Sequence, residues 1–392
     1  MKIAYIGTIL NYGETLAHWG SGLILLLSNL EKVEAIDIYC PLFSPQNAVE
    51  INYSKKISVK SIIDISSFSS LLKVLRLLNN QKYDLVILNL NPTVFGNSSV
   101  INLEILLFPL LSKFLRKLRT LLIYHNSVIT NDISILGYDS GWDKLRTFIL
   151  CKLEKSLFKY VETFFLIDSY VTKINKVIPN NKVKFLDVPV MEAIPTLYLN
   201  SINLNSERMN TSSKFRKFPT ILLHGYWGPQ KDLGSALVAL EKCEKLGHKF
   251  NLVISGVLNP HFPKYIEYFE TLMNRHKHII SEIRGYTPEN EILELFDNAD
   301  LLLMPYVVAG GHSGVLAIAY ALNTPTLARN LEEFSTLKDK YRNLAFYEND
   351  LFEKIMNFLL TWQPGKERKL YLKDIMQESM YNLLSLIEVG QH

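Results

Sequence analysis

The stretch ADLLLMPYVVAGGHSGVLAIAYALNTPTLA (299–328) decides the fold class. An apolar run from Leu301 to Met304 stops at Pro305, and a loop carrying Gly310, Gly311 and Gly314 follows. An Ala-rich run of helical period begins near Ser313, and TPTLA (324–328) reads as the next strand. Strand, glycine loop, helix and strand make a βαβ unit of a parallel sheet. A glycine loop entering a helix presents unpaired N–H groups at the positive end of the helix dipole, which suits a phosphate. The alternative is that Ser313 caps the helix and the glycines only turn the chain.

The same alternation extends in both directions. Upstream lie TILLHG (220–225), FNLVISG (250–256) and HIISEIRG (278–285), separated by helical patterns at 231–247 and 288–298. The first half repeats it with KIAYIG (2–7), AIDIYC (35–40), DLVILNL (84–90), TLLIYH (120–125), TFFLI (163–167) and VKFLDV (183–188). Runs that are apolar throughout fit a parallel sheet covered on both faces. Between the halves, 200–218 is rich in Asn, Ser and basic residues and reads as a linker. The expected organisation is α/β: a doubly wound Rossmann-like domain over 1–199, the linker, a second such domain over 219–365, and a final helix within 366–392 packing back on the first domain. Ligands of such sheets bind at the carboxyl ends of the strands, so a cleft between the two domains is the expected site.

Composition narrows the function classes. A length of 392 residues suits two domains at roughly 150 residues each, and 48% hydrophobic against 20% charged residues excludes a disordered chain. The net charge of +4 is too small to indicate nucleic-acid binding. Cys40, Cys151 and Cys243 form no C-x-x-C pair, so a reducing, cytoplasmic compartment and no structural metal are expected. The start MKIAYIGTIL lacks a cleavage site, and no apolar run reaches the ~20 residues of a membrane span. His261, His276 and His278 show no metal-ligand spacing and read as solvated. No G-x-G-x-x-G, Walker loop or H-E-x-x-H is present.

A second signal is HGYWGPQKDL (224–233), where a strand ends in a glycine turn and Lys231 stands at the start of a helix. A cation there opposes the helix dipole, so a bound phosphate would account for it; a surface lysine is the alternative. Together with RGYTPENEILELFDNADLLLMPY (284–306), GGHSGVLAIAYALNTPTLA (310–328) and, in the first half, LLIYHNS (121–127), this turn resembles retaining GT-B glycosyltransferases. The resemblance is to the family-four-like group, in a branch whose loop reads Ser-Gly-Val before the helix.

That resemblance implies GT-B architecture and transfer of a sugar from a nucleotide diphosphate donor to a glycan or lipid-linked acceptor, with retention and without a metal cofactor. It implies that Lys231 binds the diphosphate and acts as a catalytic residue by stabilising charge on it as it leaves, with Gly225 and Tyr226 in its turn. His312 and the amides of Ser313, Gly314 and Val315 would belong to the cradle. Gly285 and Tyr286 would face the base, and the loop from Gly7 to Gly13 would close over the phosphates. His125 would point toward the transferred sugar as a catalytic residue, or else serve as a hydrogen-bonded wall. Two carboxylates of the family pattern are replaced by Gly310 and Ile318, and its arginine is missing, with Tyr226 and Gly228 where it usually stands. A catalytically silent GT-B protein that binds nucleotide or glycan as an assembly partner is therefore the alternative. Finally, 101–120 combines an apolar body with Lys113, Arg116, Lys117 and Arg119, which suggests peripheral membrane contact or an ordinary buried helix.

Overall fold

The computed structural model describes residues 1–10, 16–42, 54–64, 70–90, 99–116, 118–130, 141–179, 181–189, 191, 193–199, 216–259, 262–309, 313–364 and 372–388. The chain divides into two units, one containing Met1–Pro195 and Met376–His392, the other Thr196–Ala309 and Ser313–Ile375. Of the stretch read as a linker, 200–215 lies outside the described residues.

In the first unit the strands are β1 (Lys2–Ile6), β2 (Ala35–Pro41), β3 (Ile57–Ile63), β4 (Leu85–Leu90), β5 (Thr120–Tyr124), β6 (Glu162–Phe165) and β7 (Val183–Phe185). Between them run α1 (Ala17–Ser28), α2 (Ser70–Asn80), α3 (Ser99–Arg116), α4 (Gly141–Tyr160) and α5 (Asp168–Val177), and α6 (Ala193–Leu199) follows. All strand pairs are parallel, in the order β3-β2-β1-β4-β5-β6-β7. The order reverses between β1 and β4, the topological switch point of a doubly wound sheet. All six residues of β4, LVILNL, are buried, because helices cover both faces of a central strand.

The second unit repeats this plan with β8 (Thr220–His224), β9 (Asn251–Ser255), β10 (Glu282–Arg284), β11 (Leu301–Met304), β12 (Thr326–Arg329) and β13 (Leu344–Tyr347). Its helices are α7 (Leu233–Lys245), α8 (Lys264–Arg275), α9 (Glu289–Asp297), α10 (Gly314–Ala321) and α11 (Leu351–Thr361). The strands are parallel in the order β10-β9-β8-β11-β12-β13. The last helix, α12 (Leu372–Glu388), buries Ile375, Leu383 and Ile387. Its Asn382 amide donates to the Asp187 carbonyl at 2.8 Å, and Arg119 donates to the Ile387 carbonyl at 2.9 Å.

Two strands have no counterpart among the sequence expectations, and both lie at sheet edges. In β3, ISVKSII interleaves Ser and Lys because most of its positions are only half-buried, and β13 is four residues long with one fully buried position. Half-covered edges dilute the apolar run that marks a central strand. Among the described residues, no helix is long and apolar enough to cross a membrane.

Candidate functional site

In the second unit the strand ends build a seat for one cation. Gly225 leaves β8 at φ +151°, its N–H donating to the Ser255 carbonyl at 3.1 Å. Trp227, 1% exposed, is fixed beside β9 by its backbone N–H on Val257 (2.7 Å) and its indole N–H on Ser255 (3.0 Å). The turn closes through the Lys231 N–H on Gly228 at 3.0 Å. It is then tied to the exit of β11 by Val307 on Gln230 (2.9 Å) and Asp232 on Pro305 (2.7 Å).

This pinned turn lays the Lys231 side chain against Gly225, where an added β-carbon would stand 2.0 Å from Nζ. The ammonium lies 4.5 Å from the ring centre of Tyr306 and 5.7 Å from that of Trp227. Lys231 is 7% exposed and pairs with no described carboxylate; the neighbouring Asp232 instead meets Arg329 at 3.5 Å. Two π faces offset part of the desolvation of a buried cation, and an anion would offset more.

Lys231 does not stand at the helix start. α7 begins at Leu233, and Asp232 is its cap, with Oδ1 accepting the Ser235 N–H at 3.1 Å. The unfavourable cation-dipole encounter is thus met by an adjacent carboxylate, and the case for Lys231 rests on its burial.

Gly256 follows β9 at φ +114°, and its N–H faces the carbonyls of Arg284 (3.2 Å) and Gly285 (3.0 Å). Gly225, Gly256 and Gly285 therefore close the carboxyl ends of three adjacent strands. Gly285 is open on its side-chain side, and Tyr286 is 58% exposed. Beneath them runs a polar chain absent from the sequence reading: His224 Nδ1 to Ser255 Oγ at 3.1 Å, and Ser255 Oγ to Thr287 Oγ1 at 2.6 Å.

At α10, Ser313 takes the capping role that was the alternative reading. Its hydroxyl caps the helix by accepting the Leu316 N–H at 3.4 Å. Gly314 and Val315, in the first turn, have amides with no intrahelical acceptor. Ile318 is buried. Gly13, Gly310, Gly311, His312 and His261 lie outside the described residues. His276 departs from the solvated reading: it is 1% exposed, with Nδ1 3.2 Å from Glu241, because the end of α8 turns it inward. His278 is exposed.

In the first unit, His125 follows β5 and is 6% exposed. Its Nε2 meets Asn89 Oδ1 at 2.7 Å, Asn89 Nδ2 donates to the Tyr5 hydroxyl at 2.9 Å, and that hydroxyl donates to the Thr8 carbonyl at 3.1 Å. Because the Tyr5 proton goes to Thr8, Tyr5 must accept from the Asn89 amide. Asn89 then turns its carbonyl oxygen to His125, so Nε2 is the donor of that hydrogen bond. Trp19 stacks edge-on against the imidazole at 4.8 Å. Asn89 was legible as the one polar side chain in the apolar run LVILNL.

The loop after His125 is held by a carboxylate that sequence reasoning missed. Glu154, on α4 and wholly buried, accepts from the hydroxyls of Tyr124 (2.9 Å) and Ser127 (2.6 Å) and from the amides of Val128 (3.1 Å) and Ile129 (3.3 Å). Burial outweighs these donors and raises its pKa from 4.5 to about 7. Because the folded value lies above the unfolded one, its contribution to stability is complete below pH 4.5 and is lost as the pH rises through 7. Relative to Glu154→Gln, which cannot ionise, the parent should lose about 3 kcal/mol between those limits. Urea unfolding of both proteins at pH 5 and pH 8 measures this, and parallel curves would refute it.

No protein-family model matches the sequence, and no curated protein is significantly similar to it. Solved structures do match in fold. The sucrose-phosphate synthase of Thermosynechococcus elongatus superposes with a TM-score of 0.61 at 13% identity, over 99% of this chain and 95% of that one. WaaG, a glycosyltransferase involved in lipopolysaccharide biosynthesis, gives 0.58 at 13% identity over 99% and 96%. Anabaena HepE in complex with UDP-glucose gives 0.58 at 11% identity over 99% and 94%. The chain thus has two parallel α/β sheets in the GT-B fold of these structures.

Proposed function

We propose that the protein transfers a sugar from a nucleotide diphosphate donor to a glycan or lipid-linked acceptor, with retention of configuration, on the cytoplasmic side. The observation that carries this reading is the buried Lys231 side chain, its ammonium seated on Gly225 at the strand ends and paired with no described carboxylate. Lys231 and the α10 amides of Gly314 and Val315 stabilise charge growing on the leaving diphosphate. The donor phosphate itself takes the acceptor proton on the face it leaves. Gly285 and Tyr286 lie along the base, with Tyr226 beside the diphosphate turn. His125 points toward the transferred sugar, its ring held by the Asn89 contact at Nε2. Lys231 and the helix start supply the positive charge, so no metal cofactor is called for. The UDP-glucose complex of HepE, which shares the fold, supports a nucleotide sugar as donor.

A second reading, a silent nucleotide- or glycan-binding assembly partner, draws on Ile318, whose buried aliphatic side chain cannot accept from a ribose hydroxyl. Thermal-shift measurement against a panel of nucleotide sugars, followed by donor hydrolysis with and without chelator, separates the two. The transferase reading expects one donor to raise the melting temperature and to hydrolyse slowly, unaffected by chelator. A stabilising donor that stays intact with every acceptor tried favours the silent protein, and no stabilisation by any donor removes both.

A further inference from the structure

The first unit carries a basic pocket at the end of its sheet away from His125. β5 runs from Thr120 at the pocket to Tyr124, five residues or about 16 Å, before His125. The pocket, of about 430 Å³, is lined by Lys113 from the end of α3, Arg119, Lys182 and Lys184. Glu162 is the one carboxylate among its described lining residues, and it is bound to Lys184 at 2.6 Å. Four cations therefore face one engaged carboxylate. Lys113 donates to the Tyr160 carbonyl, and its pKa is lowered by burial and then by the Lys182 charge beside it. Like charges held together in a concavity favour an anion that neutralises both.

An exposed apolar surface adjoins this pocket. Phe114, next to Lys113, is 57% exposed and meets the ring of Tyr160, 42% exposed, edge-on at 5.5 Å. Farther back along α4, past the exposed Lys152 and Ser156 and about 16 to 23 Å from Tyr160 at 1.5 Å per residue, stand Ile149, Phe148 and Leu145, of which Phe148 is 60% exposed. These three share a face by their helical spacing, and exposed Lys144, Lys152 and Lys159 flank them. Glu154, whose charge would oppose an anionic partner, is turned into the core. Exposed aromatic and aliphatic side chains between lysines are the chemistry of a helix lying at an anionic lipid surface.

We propose that the pocket binds the phosphate of an anionic membrane lipid while the Leu145, Phe148 and Ile149 face of α4 rests on the bilayer. The site differs from the continuous basic helix expected over 101–120. Lys113 and Arg119 do take part, but their companions come from the start of β7, and Lys117 with the Arg116 side chain lies outside the described residues. A soluble phosphate compound would use the same lysines without needing the α4 face. The proposal does not depend on the transferase reading.

Flotation of the full chain with vesicles of phosphatidylcholine, alone or mixed with phosphatidylglycerol, tests it at about 0.1 M salt. Binding to the mixed vesicles only is expected. It should fall roughly 30-fold in the double variant Lys113→Gln, Lys182→Gln, at about fivefold for each lysine at the surface. Lys184→Gln, at an exposed side chain, keeps the Lys113 contact with Tyr160 and should still lose several-fold. Phe148→Ser with Ile149→Ser should weaken binding at every salt concentration. Equal flotation on both vesicle types, or unchanged binding in the lysine variants, overturns the proposal. Calorimetric binding of glycerol phosphate without any vesicle binding would assign the pocket to a soluble phosphate and overturn the lipid source. Concentration-dependent dimerisation lost in the Phe148 variant, again without vesicle binding, would assign the α4 face to a second copy of the chain.

Discussion

Replacing Lys231 with Ala should weaken binding of the donor nucleotide diphosphate by about 1.5 to 3 kcal/mol, the scale of a charge-assisted hydrogen bond. Lys231 is 7% exposed and its ammonium has only the rings of Tyr306 and Trp227 as described neighbours for its charge, so the free protein already bears much of its desolvation. A diphosphate arriving there gains attraction with little further loss of water. The fold should survive, because the turn is held by the backbone bonds of Gln230, Lys231 and Asp232. Isothermal calorimetry with the diphosphate, beside a thermal melt of the free variant, measures both effects. An affinity within a factor of two of the parent would mean that the cation serves only to pack against Tyr306.

The second large effect is structural. Gly256→Ala should destabilise the second unit by about 2 to 6 kcal/mol, combining backbone strain of 1 to 3 with overpacking of 1 to 3. Its φ of +114° is unfavourable for any side chain, and the new β-carbon would stand 1.8 Å from the Gly225 carbonyl oxygen. That neighbour is backbone and cannot swing aside, so β8 and β9 must part where they support Lys231. Gly285→Ala is the matched control, since nothing lies within 4 Å of the added atom. Chemical denaturation of both variants checks the contrast. A Gly256 variant as stable as the Gly285 variant would mean that the two strand ends separate freely.

These two residues also mark how far local sequence information reaches. Lys231 stands out in a glycine turn, but its expected clash with the helix dipole is answered by Asp232 one position later. Its burial depends on Tyr306, which reaches it only because β11 pairs with β8. Gly256 ended a recognisable strand. Its need for glycine comes from the Gly225 carbonyl of the neighbouring strand. His125 was legible at the end of β5, whereas the hydrogen bond that holds its ring depends on Asn89 and Tyr5, from β4 and β1. No local pattern singles out Glu154 among the charges of its helix, and only the packing of α4 puts it under the loop it holds.

By itself, then, the sequence determined the doubly wound α/β class, its central strands, the Ser313 helix start and the glycine-bounded turn of Lys231. Each is written in apolar period or backbone permission over a few consecutive residues. Only the tertiary structure decided the edge strands β3 and β13, the seat of Lys231, the relay from Thr8 to His125, and the joining of Lys113 with Lys182. These depend on which strands lie side by side. A parallel sheet brings together residues from connections dozens of positions apart, and no local pattern of polarity records which strand will be the neighbour.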